Sequence, residues 1–282
     1  MPVASQRVRS TAFSVAVLRA MEQHEPDGLR LFDDPLAAHM LTGVRAFVGR
    51  NAVARRAFEL LLDRSAPGVI GGIVCRTRAF DDACAEALAA GVEQVVILGA
   101  GLDTRPYRLA GMPAVRVWEL DLPETQAVKR AAITRACGRL PENVAYAPAD
   151  LTAEPLADAL GRLGVLTSLP TLLLAEGVLP YLPRATTEET FAYAGSLAPG
   201  SRLVFSYLQK DVLESDRYAK RARQFSWQTG LPPEQLPALL AAHHLGLVRD
   251  LAADDYQTLY LRPRGRTLEV FDLERTAVAQ LP

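Results

Sequence analysis

Residues 94–108 (QVVILGAGLDTRPYR) constrain the fold of this chain more than any other stretch. Residues 95–98 form a short continuous apolar run, which is typical of a strand buried on both faces of a parallel sheet. Gly99 and Gly101 follow, where the backbone can turn sharply and approach a bound molecule without a Cβ in the way. Asp103 is a good cap for a helix that begins next. Because the first N–H groups of a helix carry partial positive charge, this unit predicts a cradle for a nucleotide or a carboxylate.

The glycine spacing departs from the dinucleotide fingerprint, which has a third glycine where this chain has Thr104. That glycine lets helix and strand pack closely around a pyrophosphate, so its absence favours a ligand without one. S-adenosylmethionine is the commonest nucleoside cofactor of that kind. A nicotinamide oxidoreductase is a rival interpretation, but no Tyr-x-x-x-Lys pair follows in the sequence.

Two longer strings are more specific than the glycines. GAGLDTRPYRL at residues 99–109 closely resembles a motif of the leucine carboxyl methyltransferase family, a branch of the S-adenosylmethionine-dependent methyltransferases that includes bacterial natural-product O-methyltransferases. AEGVLPYL at residues 175–182 is similar to a second motif of that family. The resemblance implies an α/β fold of class I methyltransferase (Rossmann-like) type. Its doubly wound, mostly parallel sheet has seven strands and an N-terminal helical cap.

The resemblance also implies a division of the chain. Apolar residues at helical spacing predict only helices before residue 70, and in the family this section covers the acceptor pocket. We therefore expect residues 1–70 to form a cap and residues 71–282 the cofactor-binding domain, in one compact unit. A polar, basic insert at residues 209–231 carries several arginines. These form a solvated helix face, or one of them holds an acidic substrate.

Acidic and basic side chains near predicted strand ends are candidates for holding the cofactor. Residues 115–121 alternate as a strand, and its last carboxylate follows the glycine loop by about 20 residues, the separation at which an acid meets ribose hydroxyls. Asp121 is preferred to Glu119, which shares its face, because Asp121 is nearer the edge where ligands bind. Arg76 and Arg78 point to roughly opposite sides of one helix, so only one of them can face the cofactor.

The family resemblance assigns further roles. It implies that Arg76 binds the methionine carboxylate, that Asp150 and Leu151 hold the adenine, and that Glu176 lies beside the methionyl group. Asp150 could also simply cap the turn that follows it. The predicted cofactor-binding residues are Arg76, Gly99, Ala100, Gly101, Asp103, Asp121, Asp150, Leu151 and Glu176.

The acceptor is harder to predict. Tyr181, Tyr207 and Trp227 are candidate substrate contacts, with both tyrosines as positioning residues, and no residue is assigned as catalytic. A carboxylate is ionised at neutral pH and needs no general base, whereas a phenol or alcohol usually does. Because no evident base is present, we expect a small-molecule or peptide carboxylate to be methylated. His243 or His244 would favour a hydroxyl acceptor if either pointed into the pocket. A protein that binds the cofactor without transferring methyl is a third possibility.

Charge and composition narrow the partners. The 31 basic and 32 acidic residues nearly cancel and form no dense basic stripe, which gives no support to a nucleic-acid or membrane surface. Three cysteines and four histidines show neither a disulfide framework nor metal-ligand spacing, so we expect no metal. No apolar run is long enough to span a bilayer, and arginines interrupt the N-terminal segment, so we expect a cytoplasmic protein.

Overall fold

A computed structural model describes the backbone of residues 2–282 and the side chains of residues 11–282. Its first part is helical, as the sequence predicts. The helices that precede the sheet are α1 (Pro2–Glu22), a 3₁₀ turn (Ala37–Met40), α2 (Gly43–Arg50), α3 (Ala52–Ser65) and α4 (Val69–Ala89).

One sheet organises the remaining chain. Its strands are β1 (Gln94–Leu98), β2 (Arg116–Asp121), β3 (Val144–Pro148), β4 (Thr171–Ala175), β5 (Arg202–Gln209), β6 (Gly230–Leu231), β7 (Gly246–Leu251) and β8 (Glu274–Gln280). The strand order is β3-β2-β1-β4-β5-β8-β7, and the short β6 pairs with the end of β5. All pairings from β3 to β5 are parallel, whereas β8 is antiparallel to both of its neighbours. The prediction of a doubly wound, mostly parallel sheet is confirmed, with β6 as an eighth strand.

Helices cover both faces of the sheet. Those that follow β1 are α5 (Arg105–Arg108), α6 (Pro123–Cys137), α7 (Leu156–Arg162), α8 (Arg184–Gly195), α9 (Lys210–Glu214), α10 (Asp216–Phe225), α11 (Leu236–Ala241) and α12 (Ala253–Tyr256). The residues of α7, α8 and α11 pack in one apolar cluster with alternate residues of the central strands. The residues of α4 pack on the opposite face. All five residues of β1 are buried, which explains its unbroken apolar sequence.

The stretch from Tyr256 to Leu268 gives no clear pattern in the sequence. In the structure it continues α12 through a π-helical segment at Gln257–Leu261 and a 3₁₀ turn at Arg262–Arg264. No helix in the described part of the chain is both long enough and apolar enough to cross a bilayer.

The N-terminal helices are fixed to the sheet domain by apolar and polar contacts. Apolar residues of α1 pack with Ile73 of α4 and with Ala132 and Ile133 of α6. The guanidinium of Arg19 donates to the carbonyl of Leu102, at a distance of 2.7 Å, in the loop after β1. Helix α1 therefore lies against the loop that the sequence predicts as a ligand cradle.

Candidate cofactor and acceptor site

The glycine loop after β1 has the backbone that its sequence predicts. Gly99 and Gly101 have φ angles of 54° and 45°, in the left-handed region that favours glycine. A Cβ at Gly99 would lie 2.6 Å from a methyl group of Val178, which is too close for any side chain. A Cβ at Gly101 would lie 3.4 Å from Ala12 of α1. The loop is thus packed between the end of β4 and the N-terminal helix.

Asp121 lies next to this loop at the end of β2. Its carboxylate accepts hydrogen bonds from the backbone N–H groups of Gly101 and Leu122, both at 2.6 Å. Burial raises the pKa of Asp121 above its usual range. Glu119, by contrast, is fully buried and forms an ion pair of 2.7 Å with Lys129. Of the two acids that the sequence leaves open, Asp121 alone is partly exposed at the edge of the sheet.

Arg76 of α4 binds two carboxylates at the edge where the parallel strands end, called here the carboxyl edge. Its Nε donates to Glu176 at 2.9 Å, and one terminal nitrogen donates to Glu274 at 2.6 Å. Ser206 of β5 donates to Glu274 at 2.6 Å and accepts from the backbone N–H of Gly177 at 2.8 Å. Arg76 therefore joins the ends of β4, β5 and β8, whereas Arg78 pairs with Asp82 elsewhere on α4.

Arg105 is the second cation beside Glu176. It is 1% exposed and donates to Asp81 at 2.7 Å, to Asp103 at 2.8 Å and to Glu176 at 2.6 Å. Burial opposes ionisation of Glu176, but Arg105 and Arg76 outweigh it and hold the pKa of that carboxyl below its usual range. Asp103 also accepts from the backbone N–H of Arg105 at 2.8 Å, so it shapes the start of α5.

The same network reaches the N-terminal helices. Arg108 pairs with Asp81 at 2.8 Å. Asp34, which is fully buried, accepts from the hydroxyl of Thr104 at 2.7 Å and pairs with Arg19 at 2.9 Å. A network of alternating positive and negative side chains therefore lies beside the glycine loop and connects α1, α4, α5 and the end of β4.

Sequence reasoning does not find Arg105, Asp81, Glu274 or Ser206. Arg105 stands inside the recognised string at residues 99–109, but its partners Asp81 and Glu176 lie 24 and 71 positions away. Glu274 lies 198 positions from Arg76. The one available signal for Glu274 is its position at the start of a late strand. If that strand is antiparallel to β5, its first residue lies at the carboxyl edge.

Asp150 and Leu151, which are predicted to hold adenine, follow β3, the outermost strand next to β2. Asp150 is exposed and accepts from the backbone N–H and the hydroxyl of Thr152, at 2.9 and 2.7 Å. Leu151 packs against the apolar cluster of the central strands. The turn-capping role of Asp150 is therefore present, and its adenine role stays a prediction.

Tyr181 connects the charged cluster to two other segments. The side chains of Trp227, in the 209–231 insert, and of Thr11, in α1, are hydrogen-bonding partners of its hydroxyl. Burial raises the pKa of Tyr181, and the charges of Glu274 and Arg76 also act on it. The structure thus brings Tyr181 and Trp227 together at the carboxyl edge, and their role as substrate contacts stays a prediction.

Tyr207 lies apart from this group. It is 1% exposed, and its hydroxyl donates to Asp250 at 2.9 Å. Because side chains alternate along β5, Tyr207 points to the face opposite Ser206, which belongs to the Arg76 cluster. The geometry gives no support to a substrate contact by Tyr207.

The histidines that would favour a hydroxyl acceptor lie at the other edge of the sheet. His243 and His244 lie three and two residues before Gly246, the first residue of β7, which pairs with Gln280 at the end of β8. Gln280 in turn pairs with Arg202, the first residue of β5, so both histidines stand at the amino edge. The ring of His243 contacts Phe191 of α8, at 6.2 Å between ring centroids.

The fold and this cluster define a class I methyltransferase domain. A solved structure described as a methyltransferase from Thermobifida fusca superposes with a TM-score of 0.58 at 19% identity, over 92% of this chain and 98% of that one. The magnesium protoporphyrin IX methyltransferase of Synechocystis PCC 6803, solved with bound SAH, gives a TM-score of 0.50 at 13% identity, over 85% and 98%. These similarities concern the fold alone.

The chain belongs to the leucine carboxyl methyltransferase family, whose sequence profile matches residues 12–194. A relative from Mycolicibacterium gilvum, provisionally named an S-adenosyl-L-methionine-dependent methyltransferase, is 37% identical over 206 residues, 71% of this chain and 66% of the relative. One from Mycolicibacterium vanbaalenii with the same name is 34% identical over 255 residues, 87% and 81%. Another, from Mycobacteroides abscessus, is matched over 61% of its length, so this chain spans less than two thirds of some relatives. Family membership agrees with the predicted enzyme class and with S-adenosylmethionine as its cofactor.

The residues at the carboxyl edge fit this cofactor. A glycine loop without side chains leaves room for a nucleoside, and the partly exposed carboxylate of Asp121 has lone pairs left for hydroxyl groups. Arg76 and Glu176 offer opposite charges to a group that carries both an ammonium and a carboxylate.

We expect Asp121→Ala to weaken the affinity for S-adenosylmethionine about 10- to 100-fold, because one or two hydrogen bonds to a charged group are lost. Titration calorimetry measures the change, with Asp27→Ala, an exposed acid of the N-terminal part, as the control. The affinity of the unmodified protein should also decrease as the pH falls through the raised pKa of Asp121. Asp121→Asn should lack this dependence. An unchanged titration of Asp121→Ala would show that another acid holds the ribose.

Proposed function

We propose that the protein transfers the methyl group of S-adenosylmethionine to a carboxylate of a small molecule or peptide, giving a methyl ester. One observation carries the choice of acceptor: the ionisable groups around Tyr181 are already engaged. Arg76 is a permanent cation, and Glu176 and Glu274 are held by arginines. His243 and His244 stand at the opposite edge of the sheet. A carboxylate acceptor fits such a site because it needs no base.

The reaction requires little of the protein beyond alignment. A carboxylate oxygen of the acceptor attacks the methyl carbon, and the carbon–sulfur bond breaks with its electron pair going to sulfur. The products are a methyl ester and a neutral thioether, and no proton is released. Holding oxygen, carbon and sulfur in line supplies most of the acceleration. The name of the family, which refers to a carboxyl group, supports the same acceptor.

In the proposed complex, residues of the carboxyl edge hold the cofactor. Asp121 takes the ribose, Arg76 the methionine carboxylate, and Glu176 the methionyl ammonium. Asp150 and Leu151 take the adenine. Tyr181 and Trp227 face the acceptor, which residues 1–70 and the 209–231 insert enclose.

Proton release distinguishes the proposal from the hydroxyl alternative. A panel of carboxylic acids and phenols is incubated with S-adenosylmethionine carrying a tritiated methyl group, in weak buffer with a pH indicator. We expect labelled product that releases methanol in mild alkali, with no proton released per methyl transferred. An alkali-stable product with one proton per methyl would identify a hydroxyl acceptor. Label retained entirely in the cofactor, despite calorimetric binding, would indicate a protein that binds the cofactor without transferring methyl.

A further inference from the structure

A cavity in the 209–231 insert lies beside the predicted cofactor site. Its volume is about 470 Å³, within the range of small-molecule pockets. Both helices of the insert and the turn after them form its wall. The lining residues are Leu213, Ala219, Ala222, Arg223, Ser226, Trp227 and Gln228.

One face of α10 supplies most of this wall. Ala219, Ala222, Arg223 and Ser226 are spaced three and four positions apart, which places them on the same side of a helix. Ser226 then adopts a left-handed φ of 59°, and the chain turns so that the backbone N–H of Trp227 donates to the carbonyl of Ala222 at 3.0 Å. The apolar part of the lining therefore consists of Leu213, the two alanines of α10 and the indole of Trp227.

Among the residues whose side chains the structure describes, Arg223 is the only charged one that lines the cavity, and it is exposed. Its guanidinium forms no ion pair with any residue whose side chain the structure describes. The buried arginines of the charge network differ, because Arg76, Arg105 and Arg108 each bind at least one carboxylate. An open cavity with both polar and apolar walls and one unpaired guanidinium suits a ligand with an apolar body and one anionic group.

The cavity adjoins Tyr181, which faces the methyl acceptor in our proposed function. Trp227 contacts the hydroxyl of Tyr181. Gln228 donates from its backbone N–H to Pro180 at 2.7 Å and from its side chain to the carbonyl of Tyr181 at 2.6 Å. Two residues that line the cavity therefore contact Tyr181, on which the charges of Arg76 and Glu274 also act.

We propose that this cavity is the acceptor subsite and that its ligand is a small amphipathic anion. The aromatic or apolar body packs between Trp227 and the alanines of α10, and Arg223 binds an anionic group. That group is distinct from the oxygen that receives the methyl, which must reach past Tyr181. The acceptor class is therefore a diacid with an apolar body, in which one carboxylate receives the methyl and the other pairs with Arg223. This inference rests on the proposed methyl transfer in one respect only, namely that the reacting end of the ligand points toward Tyr181.

Two matched probes test the subsite by binding alone. Biphenyl-4,4′-dicarboxylate carries an anion at both ends, and biphenyl-4-carboxylate lacks one of them. Each is titrated calorimetrically into the protein saturated with S-adenosylhomocysteine. We expect the dicarboxylate to bind at least about 10-fold more tightly than the monocarboxylate, because only the dicarboxylate has a second anion to pair with Arg223.

Two variants locate the second anion. Arg223→Gln should weaken binding of the dicarboxylate about 10-fold or more and bring it close to that of the monocarboxylate. Lys220→Gln removes the same charge from an exposed position on α10 that does not line the cavity, so it should change the affinity less than about twofold. In a Trp118→Phe protein, whose remaining tryptophan is Trp227, either probe should change the indole fluorescence.

Three results would contradict the proposed subsite. Equal affinities for the two probes, equal effects of the two variants, or no binding of either probe at millimolar concentration would each do so. These results leave the proposed function intact if tritiated methyl still reaches another acceptor. Conversely, dicarboxylate binding that depends on Arg223, together with complete retention of label in the cofactor, would preserve the subsite and refute methyl transfer.

Discussion

Replacing Arg105 by glutamine should lower the free energy of unfolding by about 3–5 kcal/mol, the usual cost of removing one partner of a buried ion pair. Arg105 is 1% exposed and binds Asp81, Asp103 and Glu176. Glutamine keeps a polar group there but leaves three carboxylates without their common cation. Urea denaturation followed by circular dichroism measures the change at neutral pH.

Arg184→Gln is the matched control for this prediction. Arg184 also pairs with a carboxylate, that of Glu188, but its side chain is 47% exposed and that of Glu188 is 44% exposed. Exposed pairs of this kind contribute about 0–1 kcal/mol. Similar losses from the two replacements would mean that the network under the glycine loop is solvated and contributes little.

Replacing Arg76 by glutamine should weaken the affinity for S-adenosylmethionine about 100-fold, because the guanidinium that we assign to the methionine carboxylate is lost. Arg76 is 6% exposed and also holds Glu176 and Glu274. The variant will therefore lose stability as well, and affinity must be separated from folding. Calorimetric titration at a temperature where circular dichroism shows a folded protein gives the affinity.

A double variant, Arg76→Gln with Glu274→Gln, makes that separation. Removing the charge of Glu274 leaves Glu176 paired with Arg105, so part of the lost stability should return. The affinity should stay low, because no cation replaces Arg76. If the double variant recovered the affinity, Arg76 would serve only to hold Glu274, and its assignment to the cofactor would be wrong.

Local sequence signals predict most of the sheet. The apolar run at residues 95–98 becomes β1, and the helix expected after Leu122 runs from Pro123 to Cys137. The two-residue β6 was missed because a strand of that length has no periodicity. The segment after Tyr256 shows no regular spacing in the sequence, because its backbone forms π-helical and 3₁₀ turns.

The site was predicted where its residues are close in sequence and missed where they are not. Gly99, Gly101 and Asp121 follow from a strand, a loop and the end of the next strand. The charge network depends on pairs such as Arg76 with Glu274, which only the folding of β8 against β5 brings together. Tyr207 lies next to Ser206 in the sequence but on the opposite face of β5, where its hydroxyl donates to Asp250, and its substrate role stays a prediction without geometric support. The division into cap, domain and insert stays a proposal.

The position of helix α1 bears on the timing of catalysis. Ala12 covers Gly101, and Thr11 reaches the hydroxyl of Tyr181, which Trp227 also contacts. If the cofactor binds over this loop as proposed, we expect α1 or the 209–231 insert to move before the spent nucleoside leaves. When such an opening is slower than the chemical step, it limits turnover. A higher solvent viscosity would then lower the turnover rate.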